Sequence, residues 1–211
     1  MKKIFLIIVI FSSCISAQTI YELPFASKGN VIELAVSNTS TVAMENITVN
    51  VLEKPAWISF EKCESLLSKI EMNSEAPASF EFSVDKDAPI GEEGKIIFAI
   101  KSPNGDEWRK EINVEVSAPT TYELSQNYPN PFNPTTTIEF IIPHDEKVVI
   151  KVYDILGREV RTWLNEFREA GHHEVEFSAS GGNASQLASG MYIYRMTSGN
   201  YSQIRKMMLV K

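Results

Sequence analysis

Two adjacent histidines, two aspartates at i and i+2, and two tryptophans have residue types suited to chemistry. His172 and His173 sit in a stretch with strand-like alternation. Neighbouring side chains on a strand point to opposite faces, so the two imidazoles cannot chelate one metal together without distortion. Asp85 and Asp87 share a face before a turn. Carboxylates at that spacing suit Ca²⁺, but no Asx-rich loop completes six oxygen ligands, and a solvated acidic turn is the preferred reading. Trp57 and Trp108 could stack sugars if exposed; core packing is the expectation. The chain contains no Gly-rich phosphate loop, nucleophile elbow or zinc-helix motif. A glycosidase needs two carboxylates facing each other in a deep cleft, which about 100 residues of sandwich rarely supply. With 3 His and 2 Cys in 211 residues, multi-ligand zinc sites are nearly excluded. A formal net charge of −7 argues against a nucleic-acid partner. No catalytic residue, cofactor or metal is therefore expected, and the chain is read as a non-enzyme.

The elements that must carry these residues are strands. At 44% hydrophobic and 22% charged, the chain is too apolar for a disordered one. Short alternating runs recur between turn residues, and no segment after residue 18 sustains a long helical period. Strands are predicted at Val31–Val36, Ile47–Leu52, Ser79–Val84, Lys95–Ile100 and Trp108–Val116. Phe80, Phe82 and Val84 fall on one face and Ser79, Glu81 and Ser83 on the other, as a sheet with one wet side requires. Ser102-Pro-Asn-Gly-Asp106 reads as a hairpin turn. Residues 61–69 suit a helical turn or a strand equally. Ser117-Ala-Pro-Thr-Thr121 reads as a linker, because Pro119 removes a ladder donor and small residues cannot anchor a core. Charge shifts across it: residues 19–118 hold 9 Lys and Arg against 17 Asp and Glu, and residues 119–211 hold 9 against 10. The expected fold class is all-β, with two immunoglobulin-like β-sandwich domains in tandem after a cleaved leader. The boundaries are 1–17, 18–118, a linker at 119–124, and 125–211.

The N-terminus has an export layout. Lys2 and Lys3 precede an eight-residue apolar run, Ile4–Phe11, and Ser12, Ser13, Ser16 and Ala17 supply small residues. The run is shorter than the roughly 20 residues a membrane span needs. Cleavage between Ala17 and Gln18 is expected. The alternative is lipidation at Cys14, since Phe11-Ser-Ser-Cys14 faintly resembles a bacterial lipobox. Cleavage after Ala17 leaves Cys63 without an intramolecular partner, and a small buried hydrophobe is its expected role.

The second half carries more specific signals. Three prolines within six residues mark Asn127-Tyr-Pro-Asn-Pro-Phe-Asn-Pro-Thr-Thr136, where Tyr128 and Phe132 can fold their rings onto an apolar face. Strands follow at Thr137–Ile142 and Lys147–Tyr153. Asp154-Ile-Leu-Gly157 reads as a turn, with Gly157 free to take positive φ. Arg158–Phe167 and Glu174–Phe177 are further strands. Met191–Met196 and Ile204–Lys211 form a closing hairpin around Ser198-Gly-Asn200.

Taken in order, Asn127-Tyr-Pro-Asn-Pro-Phe-Asn-Pro-Thr-Thr136, Val152-Tyr-Asp-Ile-Leu-Gly-Arg-Glu-Val160, Ala170-Gly-His172, Leu187-Ala-Ser-Gly-Met-Tyr192 and Lys206-Met-Met-Leu-Val-Lys211 resemble the type A C-terminal sorting domain of the type IX secretion system of Bacteroidota. Family positions map onto Asn127, Tyr128, Pro129, Asn130, Pro131, Asp154, Gly157, Arg158, Gly171, Gly190 and Tyr192. Met191 stands where Val or Ile is commoner. The resemblance implies a sandwich of about seven strands read by an outer-membrane translocon. It also implies a Gram-negative source, passage through the periplasm, and a secreted or surface location, with a surface glycolipid as partner where the domain is cut off. Within residues 53–116, Asp85-Lys-Asp-Ala-Pro-Ile-Gly91 and the last strand to Val116 resemble bacterial immunoglobulin-like modules.

The function expected is a non-enzymatic secreted or surface protein, its first domain acting in adhesion or scaffolding through a protein ligand. The alternatives are a surface-displayed carbohydrate-binding module, whose partner is a glycan, and a small secreted hydrolase. Lys206, Met207, Met208, Leu209, Val210 and Lys211 are the expected recognition strand, by edge pairing or through the terminal charges. Solvated ends of an edge strand are the plain alternative for the two lysines.

Overall fold

The computed structural model describes residues 19–180 and 187–211, and the main chain alone of residues 3–6. The chain divides into two compact units, Met1–Ser117 and Ala118–Lys211. Every regular element among the described residues is a strand.

In the first unit, β1 (Lys3–Leu6), β3 (Asn30–Asn38), β5 (Ile58–Phe60) and β7 (Ser74–Val84) form one sheet in the order β1-β3-β7-β5. A second sheet has the order β2-β9-β8-β4-β6. Its members are β2 (Ile20–Pro24), β4 (Met44–Glu53), β6 (Glu64–Ile70), β8 (Glu93–Lys101) and β9 (Glu107–Ser117). Period-two alternation builds the core: Phe80, Phe82 and Val84 of β7 are buried with Ile32 and Leu34 of β3, Ile96 and Phe98 of β8, and Val114 of β9. Side chains of both sheets join one cluster, so the unit is a β-sandwich. Rings cross the gap, Phe80 meeting Phe98 at 5.1 Å. Pro77 is tolerated within β7 because β5 pairs only with Phe82–Val84, which leaves one side of Pro77 outside that ladder.

Residues 61–69, open between helical turn and strand, contain most of β6, which pairs with β4. Cys63 is exposed rather than buried, because it lies in the connection leading into this edge strand. The predicted hairpin turn forms: the Ser102 and Gly105 N–H groups donate to Asp106 and Ser102 carbonyls at 2.9 and 3.1 Å. Four residues of the predicted leader, Lys3–Leu6, run parallel to β3 as β1. Ala17 and Gln18, the expected cleavage pair, and Cys14 lie outside the described residues.

The second unit is a smaller sandwich. β10 (Glu123–Leu124), β11 (Thr135–Ile142) and β14 (Gly171–Ser178) form a sheet in the order β10-β11-β14. β12 (Glu146–Tyr153), β13 (Glu159–Arg168), β15 (Gly190–Ser198) and β16 (Tyr201–Leu209) form its partner, in the order β13-β12-β15-β16. Ile138, Phe140 and Phe177 from the first sheet pack with Val148, Ile150, Tyr194, Met207 and Leu209 from the second. The sequence placed 119–124 in a linker. Leu124 is instead fully buried in this core, and Tyr122 stacks on Tyr201 at 4.7 Å and donates to Glu146. The small and proline residues ahead of them hid the start of the unit.

Candidate functional site

The residues singled out in the second unit fall into two groups, one that builds a frame and one that faces solvent. Asn127 is a frame residue, 2% exposed. Its amide nitrogen donates to the Pro129 carbonyl at 3.0 Å and to Thr136 Oγ1 at 2.9 Å, and its main-chain N–H reaches Tyr194 Oη at 2.9 Å. The Tyr194 hydroxyl donates in turn to the Ser125 carbonyl at 2.8 Å. Burial pushes the Tyr194 phenol up to about 12, so this hydroxyl stays a donor at any physiological pH. The peptides Tyr128–Pro129 and Asn130–Pro131 are both cis. Phe132 is buried against Phe177. Tyr128 is 82% exposed, against the expectation that its ring would fold inward.

This Pro-rich segment ends on β16. The Phe132 N–H donates to the Met208 carbonyl at 2.9 Å and the Val210 N–H to the Phe132 carbonyl at 3.0 Å. Met208 N–H donates to Asn130 Oδ1 at 2.9 Å, and the Gln126 amide donates to the Lys206 carbonyl at 2.7 Å. The outer main-chain edge of β16 from Lys206 to Val210 is therefore taken by the protein itself. Edge pairing by a receptor, one of the two modes expected from sequence, has no open ladder there.

The terminal hexapeptide is split by the strand period. Met207 and Leu209 are core residues at 1% exposure each, whereas Lys206, Met208, Val210 and Lys211 face out. Met208 pairs across the ladder with Met191 of β15. Met191 also lines a groove with Ile155, Leu156 and Arg158 from the turn after β12, and with Gly190 and Tyr192. Ile155 and Leu156 are 70% and 73% exposed, so large apolar side chains stand in water on this face. The Tyr192 ring is buried, and its hydroxyl donates to the Ala188 carbonyl at 2.8 Å.

The turn that lifts Ile155 and Leu156 is built by Asp154, Gly157 and Arg158. Asp154 Oδ1 accepts from the Leu156 and Arg158 N–H groups at 2.9 and 3.0 Å, and its Oδ2 accepts from Arg158 Nε at 2.7 Å. Gly157 has φ of +78°, which a side chain would strain. Burial pushes the Asp154 carboxyl up, but the Arg158 main-chain and guanidinium donors and the Leu156 N–H outweigh it and hold the carboxyl below its ordinary value. The Asp-x-x-Gly-Arg spacing is thus an Asx turn with an arginine clamp. Sequence reasoning found the motif and the turn. It did not foresee Ile155 and Leu156 as the exposed part, because apolar residues in a strand-rich chain read as core.

In the first unit, Trp57 and Trp108 are both partly buried and packed against the core. A Cβ on Gly94 would sit 2.9 Å from the Trp57 ring, so that indole lies flush on β8. Trp108 borders an apolar depression of about 140 Å³ with Met44, Ile47, Ile70 and Ile100. Asn38 at its rim is pinned by donation to the Val42 and Ile70 carbonyls at 2.8 and 3.0 Å. Asp85 is spent on its turn, Oδ1 accepting from the Asp87 N–H at 3.0 Å.

The family profile described as the secretion system C-terminal sorting domain matches residues 126–211. No curated protein matches the chain. Among solved structures, the dimeric latent PorU of Porphyromonas gingivalis is similar at 15% identity and a TM-score of 0.37. That match covers 93% of this chain, which spans only 19% of PorU. CBD12 from CALX1.2 is similar at 8% identity and a TM-score of 0.36, over 84% of this chain and 76% of that one. The YadV chaperone is similar at 9% identity and a TM-score of 0.32, over 90% and 98%. Residues 126–211 are a C-terminal sorting domain of the type IX secretion system, the label of a secreted or surface protein of a Gram-negative bacterium.

Proposed function

We propose that the outer-membrane translocon reads this chain through the outward side chains of its sorting domain, namely Ile155, Leu156, Met191 and Met208, flanked by Lys206 and Lys211. The carrying observation is the split of the last strand. Its main-chain edge is covered by Asn130 and Phe132, while its alternate side chains stand in water beside the Asp154–Arg158 turn. Apolar side chains that the fold leaves exposed and a groove between them favour a docked partner. Residues 1–17 act as the leader for the inner membrane, cleaved after Ala17. The first unit is a passenger without catalysis, acting in adhesion or scaffolding. Its depression beside Trp108 has the size of one aromatic ring or branched side chain, which suits a single apolar group of a ligand.

The test is secretion in a type IX-competent host. Met191→Asp with Met208→Asp is expected to leave the circular dichroism spectrum unchanged, to cross the inner membrane, and to accumulate in the periplasm. Wild-type amounts of this double variant at the surface or in the medium would remove the reading. For the passenger, a glycan array probed with the purified chain separates sugar binding from protein adhesion. Strong glycan binding would favour the carbohydrate-binding alternative.

A further inference from the structure

The outward face of β11 and β14 carries a second cluster, distinct from the face just described. Glu139 of β11 stands opposite Glu174 of β14, and His172 lies two residues before Glu174, hence on the same side. One ligand atom from each of the three lies within 4.8 Å of the other two. His172 Nε2 is 3.5 Å from Glu139 Oε2, with the imidazole side chain only 5% exposed. Two donors bound at about 2.0–2.1 Å to one tetrahedral ion stand about 3.3–3.4 Å apart, so this pair is already near the spacing an ion imposes. Glu174, exposed on the same face, supplies the third ligand atom. A depression lined by Glu139, Glu174, Gln126, Tyr128 and Thr137 opens over the two carboxylates, with room for an ion and a water.

His172 and His173 stand on opposite faces of β14, and only His172 joins this cluster. His173 turns to the other face, where it stacks on Phe140 at 5.1 Å and approaches the Glu169 carbonyl at 2.7 Å. The partners of His172 are Glu174, two residues along the same strand, and Glu139 on the neighbouring strand, and only the second is hidden from local sequence spacing.

We propose that Glu139, His172 and Glu174 form a three-ligand site for a zinc-type divalent cation. Two carboxylates balance the charge of the ion, and the neutral imidazole nitrogen favours a borderline ion over Ca²⁺ or Mg²⁺, which take oxygen donors. The ion cross-links β11 to β14, an edge strand of its sheet.

Calorimetric titration of ZnCl₂ into the purified chain at neutral pH tests this, in a Cys63→Ser background so that the exposed thiol plays no part. The expected result is one ion per chain, bound at least about tenfold more weakly by Glu139→Gln and by Glu174→Gln and not at all by His172→Ala. MgCl₂ and CaCl₂ are expected to give no saturable heat. Circular dichroism checks each variant, and Glu174→Gln, altered only at an exposed side chain, remains informative if His172→Ala unfolds. Absence of saturable Zn²⁺ binding, binding unchanged in Glu174→Gln or in a folded His172→Ala, or preferential binding of Ca²⁺ would overturn the proposal.

Discussion

At the scale of single residues, the sorting unit uses Asn127, Asp154 and Arg158 of its motif for internal hydrogen bonds. Asp154 shows the pattern, since three donors converge on one carboxylate to shape a turn whose neighbours are the exposed ones. A carboxylate held below its unfolded value contributes stability that is complete above that value, near 3.8 for this group, and is lost as pH falls through the lower folded value. Protection of the Leu156 and Arg158 amides, taken relative to their intrinsic exchange rates, is therefore expected to fall in acid below that point, and Asp154→Asn should abolish this acid dependence. Equal acid dependence in the variant would remove Asp154 as its source. Tyr194→Phe strips the hydroxyl that donates to the half-buried Ser125 carbonyl and accepts from the buried Asn127 N–H. A loss of about 1–3 kcal/mol in denaturant unfolding is expected, because the two main-chain groups are left unpaired. The motif residues were legible by spacing. Their jobs were not, because the buried Asn127 and the exposed Tyr128, adjacent in the chain, look alike in a string of prolines without period.

Elements tell a different story, because strands repeat every second residue and the sequence shows that period directly. Phe80, Phe82 and Val84 were assigned inward from alternation alone and are buried. The same rule separates Met207 and Leu209 from Met208 and Val210, so deleting Lys206–Lys211 removes core and surface together. Such a truncation is expected to stop in the periplasm or be degraded. Lys206→Ala with Lys211→Ala keeps the strand and should change stability by less than about 0.5 kcal/mol. Its secretion, measured against wild type, reports the charges alone. What alternation could not show was the cover on the β16 edge, since a proline-rich segment makes its contacts by side chain and by isolated main-chain bonds. Phe132→Ala should cost about 3–5 kcal/mol through lost packing, read in thermal or denaturant unfolding.

For the molecule as a whole, the sequence reading separates two units by a charge shift and Pro119, and the structure holds two core clusters with different members. Two unfolding transitions are expected in calorimetry. A single transition that shifts with mutations in either unit would show coupling. Mass spectrometry of protein from its host is expected to begin at Gln18. The structure runs Lys3–Leu6 along β3, so cleavage would also strip β1 from that edge. The boundary itself was legible only to within several residues, because Tyr122 and Leu124 enter the second core directly after the small and proline residues that read as linker.

The latch between the Pro-rich segment and β16 also has a consequence in time. It joins residues about eighty positions apart: Gln126 with Lys206, Asn130 with Met208, and Leu124 with Arg205. Closing so long a loop costs entropy before any contact repays it, so these contacts form late. A chain stopped or nicked before its last strand has nothing for Asn130 and Phe132 to grip, and the face beside them is never assembled. If the translocon reads that face, as proposed, export is expected only of chains in which this closure is complete, and a chain truncated before Tyr201 should be retained in the periplasm or degraded.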